Sequence, residues 1–316
     1  MASTPKPQLD APSTLRRRNL NEVPCYTAPI NSIYFFISST PSSDPEPKTQ
    51  KKTEKLQISR STGVIMSASN EVEEYMAVID EMRTLVANRP LASVLGKDFL
   101  IYPEVFHPDT WFDIAQFINR GVLEVVKGEV AKKGEEESFD FLEVGCGAGY
   151  ASILAALSSQ KCHVWASDIN ETAVENTIEN AKMHGVDAQV NAVTADVFNN
   201  KIFAGKKFNM IYWNLPWAGQ RTEPGIDLDL LMRSLLDPGH QSFHRYLSEA
   251  KNFLKKTGRI FVTFSFSLGS KELFDRMVSE TGWSYKIYSR DNFLFEMAGE
   301  QQDLDVCLVE FVKKED

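Results

Sequence analysis

The chain has 316 residues, 43% hydrophobic and 24% charged, with a formal net charge of -9; this is ordinary globular composition with room for one large domain or two modest ones. No run of about 18 apolar residues occurs, and the N-terminus lacks the basic start, apolar core and small-residue cleavage site of a secretory signal, so neither a membrane-spanning helix nor secretion is expected. Cys25, Cys146, Cys162 and Cys307 stand far apart with no C-x-x-C pair, which reads as reduced thiols in an intracellular protein and not as a disulfide frame or zinc site.

Charge is unevenly spread. Residues 1–65 hold 9 basic against 5 acidic residues, which leaves a balance of -13 in the remainder. So acidic a body is a poor non-specific nucleic-acid binder, because phosphate attraction needs a basic surface. Residues 1–65 are rich in Pro, Ser, Thr and Lys, with the run Pro41-Ser42-Ser43-Asp44-Pro45-Glu46-Pro47 and the pair Lys51-Lys52. They cannot supply a packed core and are expected to form a disordered tail. The apolar patch Ile33-Tyr34-Phe35-Phe36-Ile37 interrupts it, and Arg16-Arg17-Arg18 also fits an organelle-targeting segment. The expected location is cytoplasmic, with nuclear or organellar destinations as alternatives through that tail. An upstream start is a further reading, since Met66 precedes the helix-capping run Ser67-Ala68-Ser69-Asn70.

Ordered patterning begins there. Val72, Tyr75, Met76, Ile79, Met82 and Val86 recur at three- and four-residue steps and predict a helix over 70–88. A second helix is predicted from Asp109, as its cap, to about Val130, with Phe112, Ile114, Phe117, Ile118, Val122 and Val126 on its apolar face. Residues 66–135 therefore read as a helical lead-in. Gly134-Glu135-Glu136-Glu137 is a solvated connection, and residues 136–316 form a second unit.

Strands and helices then alternate. Strands are predicted at Phe139–Val144, His163–Ser167, Ala188–Ala192, Phe208–Trp213 and Arg259–Phe266. Helices are predicted at Tyr150–Ser158, Glu171–His184, Phe243–Lys255 and Lys271–Thr281, and terminal strands at Ser284–Tyr288 and Asp305–Val312. Such alternation implies an α/β, Rossmann-like parallel sheet with helices on both faces, and the final strand pair implies an antiparallel edge.

The first strand runs into Glu143-Val144-Gly145-Cys146-Gly147-Ala148-Gly149-Tyr150. Glycines at alternate positions let the backbone turn sharply and approach a ligand, and the following helix offers free N–H groups. A dinucleotide fingerprint would place its third glycine one residue later. The second strand ends in Ser167-Asp168-Ile169-Asn170 and the third element in Ala195-Asp196-Val197-Phe198. A carboxylate at position 168 can accept both hydroxyl hydrogens of a ribose. Asp196 can accept from an adenine amino group while a neighbouring backbone N–H serves a ring nitrogen. The alternatives are a helix cap for Asp168 and a turn residue for Asp196.

The run Phe141-Leu142-Glu143-Val144-Gly145-Cys146-Gly147-Ala148-Gly149, with Asp168 and Asp196 in register, resembles the class I S-adenosylmethionine-dependent methyltransferases. The resemblance spans roughly residues 98–312. It implies a seven-stranded sheet with an antiparallel last strand and S-adenosyl-L-methionine as cofactor. Glu143, Gly145, Gly147, Gly149, Asp168, Ile169, Asp196 and Val197 would bind it.

The fourth strand stops at Asn214-Leu215-Pro216-Trp217, which resembles the N-P-P-[YFW] signature of methyltransferases acting on release-factor glutamine and on adenine or guanine in nucleic acids. A delocalised amide or exocyclic amine nitrogen is a weak nucleophile. Two fixed acceptors, the Asn214 side chain and the backbone carbonyl of Leu215, can hold its N–H groups. Pro216 stiffens the turn and Trp217 offers a face for a planar acceptor. Leu215 departs from the usual proline, although a backbone carbonyl survives the change.

Ile101-Tyr102-Pro103-Glu104-Val105-Phe106-His107-Pro108-Asp109-Thr110 is similar to the segment that crosses the cleft in the glutamine-directed relatives, which makes Phe106 and Asp109 substrate-binding candidates. The stretch Ala218–His240 should shape the acceptor side. His240 and His244, four apart, could share a helix face but lack a third ligand, so no metal is expected. The reading is an S-adenosylmethionine-dependent N-methyltransferase acting on protein glutamine or a nucleic-acid base. The alternatives are a small-molecule methyltransferase and a non-catalytic cofactor-binding partner subunit. A small activating subunit is a candidate partner.

Overall fold

A computed structural model describes residues 68–297 and 300–313. The expectations for the tail and for a start at Met66 fall outside those residues.

The lead-in begins with helix α1, Ala68–Asn88. Tyr75, Ile79, Met82 and Val86 lie on one face at helical spacing and are all buried. A hairpin follows that the pattern reading missed: β1, Leu91–Val94, pairs antiparallel with β2, Lys97–Leu100. Its two-residue turn, Leu95-Gly96, has φ of 50° and 71°. A turn with both central residues left-handed normally announces itself by Asn-Gly or Asp-Gly, and leucine there hides the signal. A 3-10 turn at Pro108–Trp111 leads into helix α2, Phe112–Val130. The expected cap is corrected: His107 Nδ1 accepts from the Asp109 N–H at 3.2 Å, while the Asp109 carboxylate pairs with Arg89 at 2.8 Å.

The alternating region forms a seven-stranded sheet. Its elements are β3 (Phe139–Val144), α3 (Tyr150–Ser158), β4 (Cys162–Asp168), α4 (Glu171–Met183), β5 (Val190–Thr194), β6 (Phe208–Asn214), α5 (Gln241–Ala250), β7 (Leu254–Phe264), α6 (Lys271–Glu280), β8 (Trp283–Met297) and β9 (Glu300–Lys313). The spatial order is β5-β4-β3-β6-β7-β9-β8. Strands β5 to β7 run parallel, and β9 inserts antiparallel between β7 and β8. The antiparallel last strand is thus present, inside the sheet and not at its edge.

Other boundaries shift for local reasons. The helix expected to reach Lys255 ends at Ala250, because Leu254 is taken into β7 opposite Phe208. The third parallel strand starts at Val190, since the Val186 carbonyl holds the N–H groups of Gln189 and Val190 in a turn. β8 continues past Tyr288, where the strand was expected to end, and pairs with β9 as far as Met297.

Two hydrophobic clusters result. The larger lies on both faces of the sheet; Phe141, Phe261 and Phe264 are among its buried members. The smaller joins Tyr75, Ile79 and Met82 of α1 to Ala218, Leu228, Leu231, Met232, Leu235 and Leu236 of the segment after β6. The lead-in helix and that insertion therefore share a core.

Candidate active site

Strand order reverses at β3: β4 and β5 lie on one side and β6 and β7 on the other. In an open α/β sheet the loops leaving such neighbours diverge and open a crevice at the carboxyl ends. The main cleft lies there, lined by Glu143–Gly147, Asp168–Asn170, Ala195–Val197 and Tyr212–Ala218, with Tyr75, Phe106 and Trp111 from the lead-in.

Gly145, Gly147 and Gly149 take φ of 62°, 55° and 85°. A Cβ on Gly145 would come within 2.5 Å of the Trp213 indole nitrogen. A Cβ on Gly147 would meet nothing within 4 Å, so it would project into cleft space. That space, beside a turn that left-handed glycine allows, is what a closely approaching ligand needs. Gly149 caps α3 and donates its N–H to the Cys146 carbonyl at 2.8 Å.

The two acidic strand ends are differently held. The Asp168 carboxylate accepts from the Gly147 N–H and the Asn170 N–H, each at 2.9 Å, so it pins the glycine turn as well as lining the cleft. Burial raises its pKa against those bonds. The cap expected there belongs to Asn170, two residues on, whose Oδ1 accepts from the Thr172 N–H at the start of α4. Glu143 is 5% exposed. One of its carboxylate oxygens accepts from both the Ser152 N–H at 2.8 Å and the Ser152 hydroxyl at 2.5 Å. Burial pushes its pKa up to about 8, with a smaller upward contribution from Asp168.

Asp196 is partnered, which the sequence did not reveal: Arg245 of α5 donates to it. That ion pair engages one carboxylate oxygen of a residue that also lines the cleft. Val197 stands at φ 57° while 5% exposed. A β-branched residue in that region is strained, and strain of this kind gathers at ligand sites. Ile169 stays 41% exposed on the cleft rim.

On the acceptor side, Asn214 ends β6 opposite Thr263 and is exposed. No hydrogen bond ties its side chain to the described residues. Leu215, Pro216 and Trp217 are buried. The Trp217 indole N–H donates to the Thr263 carbonyl at 3.0 Å. Its ring lies parallel to Trp111, centroids 5.9 Å apart and planes 8° off. The open stacking face expected on Trp217 is therefore already covered on one side by Trp111, a residue the sequence reading did not single out. Phe106 lines the cleft, packs on Trp111 at 5.6 Å, and its carbonyl accepts from the Tyr150 hydroxyl at 3.3 Å. Asp109 does not line it, being held by Arg89. His240 and His244 also separate: His240 is buried at the start of α5, and His244 faces Glu280 at the surface.

Residues 135–305 match the family model described as a methyltransferase domain. A Methanocaldococcus jannaschii protein that carries the name of a protein N5-glutamine methyltransferase is 31% identical over 159 residues, covering 50% of this chain and 77% of that one. The release factor glutamine methyltransferase of Bacillus cereus is 24% identical over 241 residues, covering 71% of this chain and 80% of that one. Among solved structures, the ribosomal protein L11 methylase of Lactobacillus delbrueckii aligns with a TM-score of 0.40 at 12% identity, over 61% of this chain and 77% of that one.

Proposed function

This chain belongs to the methyltransferase-domain family, an S-adenosylmethionine-dependent enzyme, and on that premise we propose that the nitrogen it methylates is the side-chain amide of a protein glutamine, in a release factor or a protein like it. The observation that carries the proposal is Asn214, an exposed side-chain amide with no hydrogen-bond partner among the described residues, at the end of β6 in the cleft that also holds the glycine turn. The names of the relatives from M. jannaschii and B. cereus point to the same acceptor.

The residues fit the cofactor. Gly145 and Gly147 would let the backbone approach it, Asp168 would accept from its ribose hydroxyls, and Ile169 and Val197 would flank its base. Asp196 would accept from the exocyclic amine with the oxygen not engaged by Arg245, and Gly149 would set the start of α3 against it. When bound, the cofactor supplies an electrophilic sulfonium methyl.

The chain does the rest by placement. Asn214 Oδ1 and the Leu215 carbonyl accept the two N–H groups of the amide, which biases its nitrogen lone pair away from the carbonyl and toward the methyl. Pro216 holds the turn that presents the Leu215 carbonyl. Trp111, Trp217 and Phe106 wall the acceptor space, exclude water and so strengthen those hydrogen bonds.

The acidic body disfavours a nucleic-acid acceptor. Cys146, Cys162 and Cys307 are free and buried, which agrees with the reducing cytoplasm as the proposed location. No described helix is long and apolar enough to cross a membrane. A small activating subunit remains part of the proposal, to be sought by co-purification. The acceptor is tested by incubating the protein with labelled S-adenosylmethionine and either a release-factor glutamine peptide or a matched glutamate peptide, then mapping methyl groups by mass spectrometry. Label on the glutamine peptide alone supports the reading; label on added tRNA or DNA instead would overturn it.

A further inference from the structure

The lead-in helix is tied to the segment that follows Trp217 by a carboxylate that neither the sequence patterns nor the relatives' names assign. Glu71, in the first turn of α1, is 1% exposed. One oxygen accepts from the Gly219 N–H at 3.0 Å. The other accepts from the Arg221 N–H at 3.0 Å and the Thr222 hydroxyl at 2.7 Å. Arg221 also reaches back to α1, pairing with Glu74 at 2.6 Å. A buried carboxylate is costly unless its lone pairs are used, and here three donors from one four-residue stretch use them.

That stretch begins two residues after Trp217. It has little freedom of its own: Gly219 stands at φ 115°, and a Cβ there would come within 2.2 Å of the Asp237 carbonyl. The Gly239 N–H donates to the Gly219 carbonyl at 2.8 Å, and the Asp237 N–H to the Ala218 carbonyl at 2.9 Å. Glu71 thus fastens a crossing of two strands of loop directly behind the acceptor residues. One helical turn along the same face, buried Tyr75 lines the cleft. Further along, Arg83 grips Glu104 with two bonds at 3.0 and 2.9 Å and reaches Asp229 at 3.3 Å. The same helix therefore holds both the loop in front of the cleft and the insertion behind it.

We propose that Glu71 is a positioning residue for methyl transfer: by binding Gly219, Arg221 and Thr222 it fixes the Leu215 carbonyl and Trp217 relative to Asn214, so that α1 controls acceptor geometry without touching the cofactor. This rests on the assignment of Asn214–Trp217 as the acceptor-binding residues. Glutamine keeps one acceptor oxygen but sets an NH2 group against a donor on the other side, so Glu71→Gln loosens the loop and keeps its volume.

The test uses the full chain with Glu71→Gln, Glu71→Ala and, as a control, Glu73→Gln at an exposed neighbouring position. Amide deuterium uptake over 214–222 should rise in both Glu71 variants and match wild type in the control. With the glutamine peptide saturating, kcat should fall about tenfold or more, the scale of one lost buried hydrogen bond, while affinity for S-adenosylhomocysteine stays within about twofold. A purely structural role would lower cofactor affinity and kcat together. If alanine prevents folding, the glutamine variant decides. Wild-type uptake over 214–217 in Glu71→Gln overturns the inference, as does wild-type kcat. If wild-type enzyme leaves the glutamine peptide unmethylated, the acceptor reading falls by itself, and the exchange measurement still decides this one.

Discussion

Glu143→Gln separates what the cofactor side does for binding from what it does for stability. The wild-type carboxyl is nearly inaccessible, and burial lifts its pKa from 4.5 to about 8 despite two bonds from Ser152. A carboxyl with a raised folded pKa keeps its proton in the native state after the unfolded chain has ionised. The native state then binds more protons, and stability falls as pH rises. The loss is absent below the unfolded pKa, grows between 4.5 and about 8, and is complete above that. A gap of about 3.5 units corresponds to about 1 kcal/mol at pH 5, about 3 at pH 7 and about 5 at pH 9. Glutamine retains an acceptor oxygen for Ser152 and cannot ionise. The ligand-free variant should therefore exceed wild type by only about 1 kcal/mol near pH 5 and by about 5 kcal/mol at pH 9, measured by urea unfolding at a series of pH values. Its affinity for S-adenosylmethionine should fall, because a cationic ligand favours the ionised carboxylate. For the same reason, wild-type binding should release a proton and tighten as pH climbs toward 8. Stability gained together with affinity lost marks a group retained for function. A stability difference between variant and wild type that stays constant with pH would refute the argument.

Gly147→Val should abolish cofactor binding in calorimetry, because its side chain enters the cleft at a φ of 55° that valine resists. Asn214→Ala should cut single-turnover methyl transfer by about a hundredfold or more with cofactor affinity unchanged, and Asn214→Asp should keep more activity than alanine. Trp217→Ala should cost about 3–5 kcal/mol of stability as a buried aromatic truncation, whereas Trp217→Phe should keep the contact with Trp111 and lose only the bond to Thr263; thermal melts compare the two. Deleting residues 1–65 should leave melting temperature and cofactor affinity close to those of the full chain, and a large drop in either would show that the tail belongs to the fold.

The half of the cleft proposed to hold the cofactor was legible because each of its parts is local. Phe139–Val144 is a largely buried strand that meets three alternating glycines, and Asp168 and Asp196 each close a strand or strand-like segment. One βα unit at a time, periodicity and punctuation are enough to place such residues. Other local signals are ambiguous. Leu95-Gly96 concealed a hairpin, Asp109 read as a cap when its carboxylate was committed to Arg89, and the strand expected over Ser284–Tyr288 runs on to Met297. Arg245 was out of reach because it meets Asp196 from a helix 49 residues away.

The half proposed to hold the acceptor shows a different limit. Its walls come from α1, from Pro108–Trp111 and from the segment after β6, none of which is adjacent in sequence. Glu71 makes the point most sharply. In sequence it is an acid in a helix's first turn, where the helix dipole alone explains a carboxylate. In the fold it is buried, and its partners lie 148 to 151 residues on. The cofactor is common to the family and can be held by a repeated local turn. The acceptor space must be particular to its substrate, and here it is assembled by long-range contacts among irregular segments. The small cluster of Tyr75, Ile79 and Met82 with Leu231 and Leu235 follows from that requirement, since a wall built of loops needs apolar surface to pack on. Substitutions in that cluster that keep the fold should accordingly change acceptor KM and kcat before they change cofactor binding, and steady-state kinetics on Met82→Ala would show a fall in cofactor affinity first if the two halves were not separable.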